Sequence, residues 1–87
     1  LDTKPDERFV NTIGYVALHD RQLPDIAVTI FEINTKNYPK SLNVWDSLAD
    51  AYLAKGYKDK ARKCYETILK LSPSNSQAKK KLEALNK

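Results

Sequence analysis

Asp46 and Asp50 stand one helical turn apart and could present two carboxylates side by side. Such a pair can do general acid–base work, hold a cation or bind a basic side chain. For catalysis it needs a base, a metal ligand or an apolar pocket beside it, and the sequence supplies none nearby. His19 is the only histidine and Cys64 the only cysteine. With one of each and no G-x-S-x-G, neither a nucleophilic triad nor a metal site can be assembled. His19 is expected at the end of a helix, where a cation suits the dipole. Cys64 lies between Lys63 and Tyr65, and a packing role is expected for it. The alternative is a thiol activated by Arg62 and Lys63. No catalytic residue, metal or cofactor is expected, so the chain is not read as an enzyme.

Composition narrows the partners. The 87 residues are 41% hydrophobic and 30% charged, with a net charge of +4. That is enough for one small domain with a modest core. No apolar run approaches the length of a membrane span, and no secretory signal is present, so no membrane partner is expected. The chain begins at Leu1 and contains no Met, so a fragment or processed product of a longer protein is expected, its compartment unknown. Residues 1–54 carry −3 and residues 55–87 carry +7. The basic end lacks an Arg cluster and aromatic residues interleaved with its lysines. Lys79, Lys80 and Lys81 therefore read as a solvated face, and no nucleic-acid partner is expected.

These residues must be positioned by helices. Thr3, Pro5, Asp6 and Glu7 form a helix start, with Thr3 as the cap, and the first helix should run from Pro5 to His19. Val10, Gly14, Ala17 and Leu18 form its packing face, and Phe9, Ile13 and Val16 form a second apolar stripe. A helix apolar over so wide an arc should be covered on two sides. Pro24 and Asp25 open a second helix that runs to Asn37, with Ala27, Ile30 and Phe31 packing, and Tyr38-Pro39 stops it. Ser41 or Asn43 caps a third helix, which ends at Gly56. The fourth should run from Lys58 to Leu71. Ser74 or Asn75 caps the last, Ser76 to Asn86, whose apolar residues are Ala78, Leu82 and Leu85.

Trp45, Leu48, Ala49 and Tyr52 lie on one helical face, followed by Gly56, then Ala61 and Tyr65, then Pro73. The spacing W-x2-L-A-x2-Y…G…A-x3-Y…P resembles the 34-residue tetratricopeptide pattern. A shift of 34 places lays Asp25 on Asp59, Ala27 on Ala61, Phe31 on Tyr65, Glu32 on Glu66 and Pro39 on Pro73. The first copy is degenerate: Asn11, Gly14 and Leu18 stand against Trp45, Leu48 and Tyr52, and Asn34 stands against Ile68. The resemblance implies an all-α fold, a right-handed superhelical stack of two tetratricopeptide hairpins plus a C-terminal capping helix, five helices in all. The divisions are a lead-in over 1–7, a degenerate repeat over 8–41, a second repeat over 42–75 and a cap over 76–87. Two copies fall short of the three usually needed for a stable stack, so a cover is expected over Phe9, Ile13 and Val16.

A narrower resemblance is carried by Phe31, Asn34, Tyr38, Pro39, Ser41, Asn43, Val44, Trp45, Asp46, Ser47 and Leu48. This run is similar to the C-terminal repeat tails of bacterial serine hydrolases, such as enterochelin-esterase-like esterases and beta-lactamase-related proteins. It implies a catalytic domain upstream, to which this chain would be a structural or dimerising appendage. The broader resemblance implies a scaffold that binds a protein or peptide in the groove of its first helices. By register that groove, with the uncovered stripe, comprises Phe9, Thr12, Ile13, Val16, Asn43, Asp46, Ser47, Asp50, Gln77, Lys80 and Lys81. Some members grip a terminal carboxylate with a Lys, Asn and Arg clamp. Here Thr12, Val16, Ser47, Gln77 and Lys81 hold the matching places, and only Lys81 fits, so that clamp is not expected. Asp46 and Asp50 should sit beside Lys80 and Lys81, either compensating them or offering a polar site to a basic segment. The partner is then a protein or peptide, the parent's own upstream domain, or a second copy in a homodimer through the first helix.

Overall fold

A computed structural model describes residues 3–86 of the chain. Leu1, Asp2 and Lys87, parts of the expected lead-in and cap, lie outside the described residues. The described residues form five helices and no strand: α1 (Glu7–Tyr15, continued by a π-helical turn over Val16–Asp20), α2 (Pro24–Asn37), α3 (Leu42–Ala54), α4 (Lys58–Leu71) and α5 (Ser76–Leu85). Each helix packs on the next in the chain, and α3 also touches α1. The result is a flattened stack of about 41 × 29 × 16 Å.

The helix starts follow hydrogen-bonding chemistry, with two corrections. The cap of α1 is Asp6, not Thr3: its carboxylate accepts from the Phe9 amide at 2.9 Å. A charged acceptor at the cap satisfies an orphan amide more strongly than a hydroxyl can, and Pro5 then precedes the helix. Ser41 holds the cap position of α3, but its hydroxyl donates to Glu7 Oε2 at 2.6 Å, tying α3 to the start of α1. α2 begins on Pro24, whose missing N–H costs nothing in a first turn. Asn75 caps α5 by accepting from the Ala78 amide at 2.9 Å.

The two hairpin turns share one backbone feature. Gly56 has φ +78° and Gln22 has φ +52°, and they stand 34 residues apart. Both close a helix with a left-handed residue. Glycine takes that conformation freely, whereas Gln22 bears a side-chain penalty of roughly 1–2 kcal/mol. The first turn differs in one respect: α1 widens into a π turn before it ends, with Arg21 N–H donating to Val16 O at 3.0 Å and Leu23 N–H to Ala17 O at 2.7 Å. The single α-helix expected to His19 therefore ends as α-helix at Tyr15.

The core lies between α2, α3 and α4. Ala27, Ala49, Ala51 and Ala61 are fully buried and let the helices approach closely, while Phe31 and Tyr65 fill the space beside them. In the first hairpin Gly14 makes this possible: its Cα faces the Phe31 ring, which occupies the place a Cβ would take. Asn34 is also fully buried. Its Nδ2 donates to Glu7 O at 3.0 Å and so fastens the end of α2 to the start of α1. Its Oδ1 has no partner among the described residues, a cost that Ile68, 34 places on, does not incur.

Candidate partner-binding face

α1, α3 and α5 are the first helices of the successive units, and polar contacts between them form a seam. Ser47 Oγ donates to Asn11 Oδ1 at 2.5 Å, and Tyr15 OH donates to Asp50 Oδ2 at 2.6 Å. Lys81 Nζ donates to Asp46 Oδ1 at 2.8 Å, an ion pair with both side chains about 40% exposed. Asp46 and Asp50 lie one turn apart on α3; Asp46 meets α5 and Asp50 meets α1. The Tyr15 ring stacks on His19 at 5.4 Å and meets Phe31 edge-on at 5.1 Å. Burial, and then the bond to Asp50, hold the Tyr15 phenol protonated well above its ordinary range.

The register-derived residues divide four ways. Thr12, Asn43, Gln77 and Lys80 are exposed beside the seam. Asp46, Asp50 and Lys81 are partly exposed within it. Ser47 is a correction: it is 3% exposed with its hydroxyl committed to Asn11, so it belongs to the wall and not to the open surface. Asp46 does meet Lys81, but Asp50 meets Tyr15 instead of a lysine. Phe9, Ile13 and Val16 form a separate surface on α1, 64%, 41% and 41% exposed, and no other described part of the chain covers them. Leu42, Asn43, Asp46, Asn75, Gln77 and Ala78 help to line a cleft of about 180 Å³ between α3 and α5. His19, Leu18, Asp50 and Leu53 border another open cleft between α1 and α3. Asp46 Oδ2 and Asp50 Oδ1 make no hydrogen bond among the described residues.

Tyr15 was not singled out from the sequence and Asn11 was named only as a degenerate repeat position, although a signal was available. The 34-place shift lays Gly14 on Leu48 and Tyr15 on Ala49. The large–small pair of the second copy is inverted in the first, which turns an aromatic hydroxyl toward α3.

Cys64 is 3% exposed on α4, and burial, with lesser help from Asp46 and Glu32, pushes its thiol up to about 12. Arg62 and Lys63 do not activate it. Arg62 points instead to Asp59 and to Asn86. Burial likewise pushes Tyr65 up to about 12. Both groups ionise more easily in the unfolded chain, so their protonated forms favour the fold. That contribution is whole below pH 9.0, the ordinary value of the thiol, and is lost as pH rises toward 12. Urea midpoints should therefore be flat from neutral pH to about 9 and fall above it. Cys64→Ala should make that fall shallower. A midpoint rising above pH 9 would contradict the assignment.

Among the described residues no group of three His, Cys, Asp or Glu could hold a metal ion, and no helix is long and apolar enough to cross a membrane. Residues 42–75, which comprise α3, α4 and the turns around them, match the family model of the tetratricopeptide repeat. No curated protein matches the chain.

Proposed function

We propose that this chain, which carries a tetratricopeptide repeat over residues 42–75, is a non-catalytic protein-interaction module that binds an extended, basic segment of a partner along α1, α3 and α5. The observation that carries the proposal is the seam. Asp46 and Asp50 are held in place by Lys81 and Tyr15, and each keeps one oxygen for a ligand. Preorganised acceptors lose little entropy when a cation docks. Thr12, Asn43 and Gln77 flank them and can bond the backbone of an extended peptide. The acidic charge of residues 1–54 favours a basic partner.

The test is fluorescence anisotropy with dye-labelled extended peptides that carry lysine at alternate positions. Binding should weaken about tenfold or more in Asp46→Asn/Asp50→Asn, a loss of at least about 1.4 kcal/mol. Lys36→Ala and Lys63→Ala, on α2 and α4, should bind as the parent does. Equal affinity for the aspartate variant counts against the proposal.

A second reading is favoured by the exposed stripe Phe9, Ile13 and Val16: the chain packs on, or pairs, another folded surface. The structural or dimerising appendage of an upstream bacterial serine hydrolase is one form of this reading. Its support is the run from Phe31 to Leu48.

A further inference from the structure

We infer that a second site, the cleft between α3 and α4, binds an acidic partner segment through one aliphatic side chain and the carboxylates on either side of it. The cleft holds about 250 Å³, with Trp45, Leu48 and Tyr52 of α3 on one wall and Lys60, Lys63 and Cys64 of α4 on the other. Helical spacing puts the α3 residues on the side of that helix turned away from Asp46 and Asp50.

The chemistry of the cleft follows from what its lining has already used. Trp45 Nε1 donates to Pro39 O at 2.8 Å and Tyr52 OH to Glu32 Oε2 at 2.7 Å. Thr67, also in the lining, donates to Lys63 O at 3.0 Å. What is left to a ligand is hydrocarbon, aromatic surface and two ammonium groups. Lys60 Nζ lies 5.6 Å from the centre of the Tyr52 ring and 5.4 Å from that of Tyr57, so it is held over the aromatic wall. Neither lysine is ion-paired among the described residues. The carboxylates of the neighbouring elements have other partners: Asp25 pairs with Lys55, Asp59 with Arg62 and Asp46 with Lys81. Glu66 lies about 100° round α4 from Thr67. Against Glu32, which is bonded to the wall, the two lysines leave the rim net positive. The 34-place shift lays Lys60 and Lys63 on Ile26 and Thr29, so the repeat itself does not demand these charges.

An open cleft of this volume takes one apolar side chain. Two ammonium groups on its rim call for two carboxylates. A peptide with acids on both sides of one aliphatic residue supplies them, and a fatty acid does not. The charge of +7 over residues 55–87 favours the same acidic partner.

Trp45 is the only tryptophan and lines the cleft, so its emission reads occupancy. Titration with a peptide that carries one leucine between glutamates should shift that emission and saturate. In Lys60→Ala/Lys63→Ala, with helicity checked by circular dichroism, affinity should fall about tenfold or more. Glycine in place of the leucine should weaken binding by about tenfold as well. Lys79→Ala/Lys80→Ala should titrate as the parent does. No saturable shift in the parent chain overturns the inference, and so does equal affinity for the Lys60→Ala/Lys63→Ala chain. A loss in Lys79→Ala/Lys80→Ala instead places the acidic segment on α5, and octanoate that binds as tightly as the peptide overturns the choice of a peptide. The cleft shares no residue with the seam, so either site can fail without the other.

Discussion

Gly14→Ala lowers the stability of the domain by roughly 1–2 kcal/mol, although alanine is the better helix former. Two effects compete. Replacing a helical glycine by alanine contributes about 1 kcal/mol of backbone stabilisation. Against it, a Cβ at Gly14 would lie 2.2 Å from Phe31 Cε1, 2.6 Å from Cζ and 2.7 Å from Cδ1. Phe31 is fully buried and also meets Tyr15 edge-on, so its ring has little room to withdraw. Either α1 moves off α2 or the ring leaves its rotamer, and either outcome costs more than the helix gains. A chain of 87 residues has a total stability of only about 4–13 kcal/mol, so the loss should be plain in urea denaturation followed by circular dichroism. Gly14→Ala/Phe31→Leu should recover part of it, because the smaller side chain vacates the space. A Gly14→Ala chain more stable than its parent would show that the close approach is not rigid.

The second large effect belongs to the better-formed repeat. Tyr65→Ala removes a side chain that is 1% exposed on α4 and should cost roughly 3–5 kcal/mol, which leaves little folded protein. The ring is the principal filler between α4 and its neighbours, and the flanking Ala49 and Ala61 have no atoms with which to collapse into the void. Tyr65→Phe should stay within about 0.5 kcal/mol of the parent, because no hydrogen bond from the phenol is found among the described residues. The 34-place shift gives the same answer, since Phe31 already does this work in the first hairpin. Trp45 is the only tryptophan, and its emission reports the unfolding directly. A Tyr65→Phe chain as damaged as Tyr65→Ala would mean that the hydroxyl and not the ring holds this site.

The helices were legible because their punctuation is chemical. Pro24, Pro39, Gly56 and Pro73 mark where α2 begins and where the turns lie, and α2 and α4 fall where their periodicity places them. The start of α1 was harder, because Thr3, Asp6 and Pro5 all signal a cap and spacing alone does not rank an ionised acceptor over a hydroxyl. The π turn over Val16–Asp20 has no periodic signature, since it widens the helix by one residue without changing which residues are apolar. The left-handed residue of the first turn was hidden for a related reason: glycine announces such a conformation and Gln22 does not.

The candidate face was less legible than the fold. Register placed Asn43, Asp46 and Asp50 on α3, but it could not say which carboxylate would meet a lysine. That depended on Tyr15, whose reach to Asp50 follows from the exchange of Leu48–Ala49 for Gly14–Tyr15. Ser47 was misplaced because a serine reads as a surface residue until its partner is known. Asn11, degenerate against Trp45 in the repeat pattern, is that partner. The two irregular residues of the first hairpin, Asn11 and Tyr15, thus add two of the hydrogen bonds that join it to the second.

The central claim is that a partner segment lies along α1, α3 and α5. Its most direct test is the amide spectrum of isotope-labelled protein during titration with the lysine-bearing extended peptide. Shifts should concentrate at Thr12, Asn43, Asp46, Asp50, Gln77 and Lys80, and should vanish in Asp46→Asn/Asp50→Asn. Shifts gathered instead on α2 and α4, around Lys36 and Lys63, would contradict the claim.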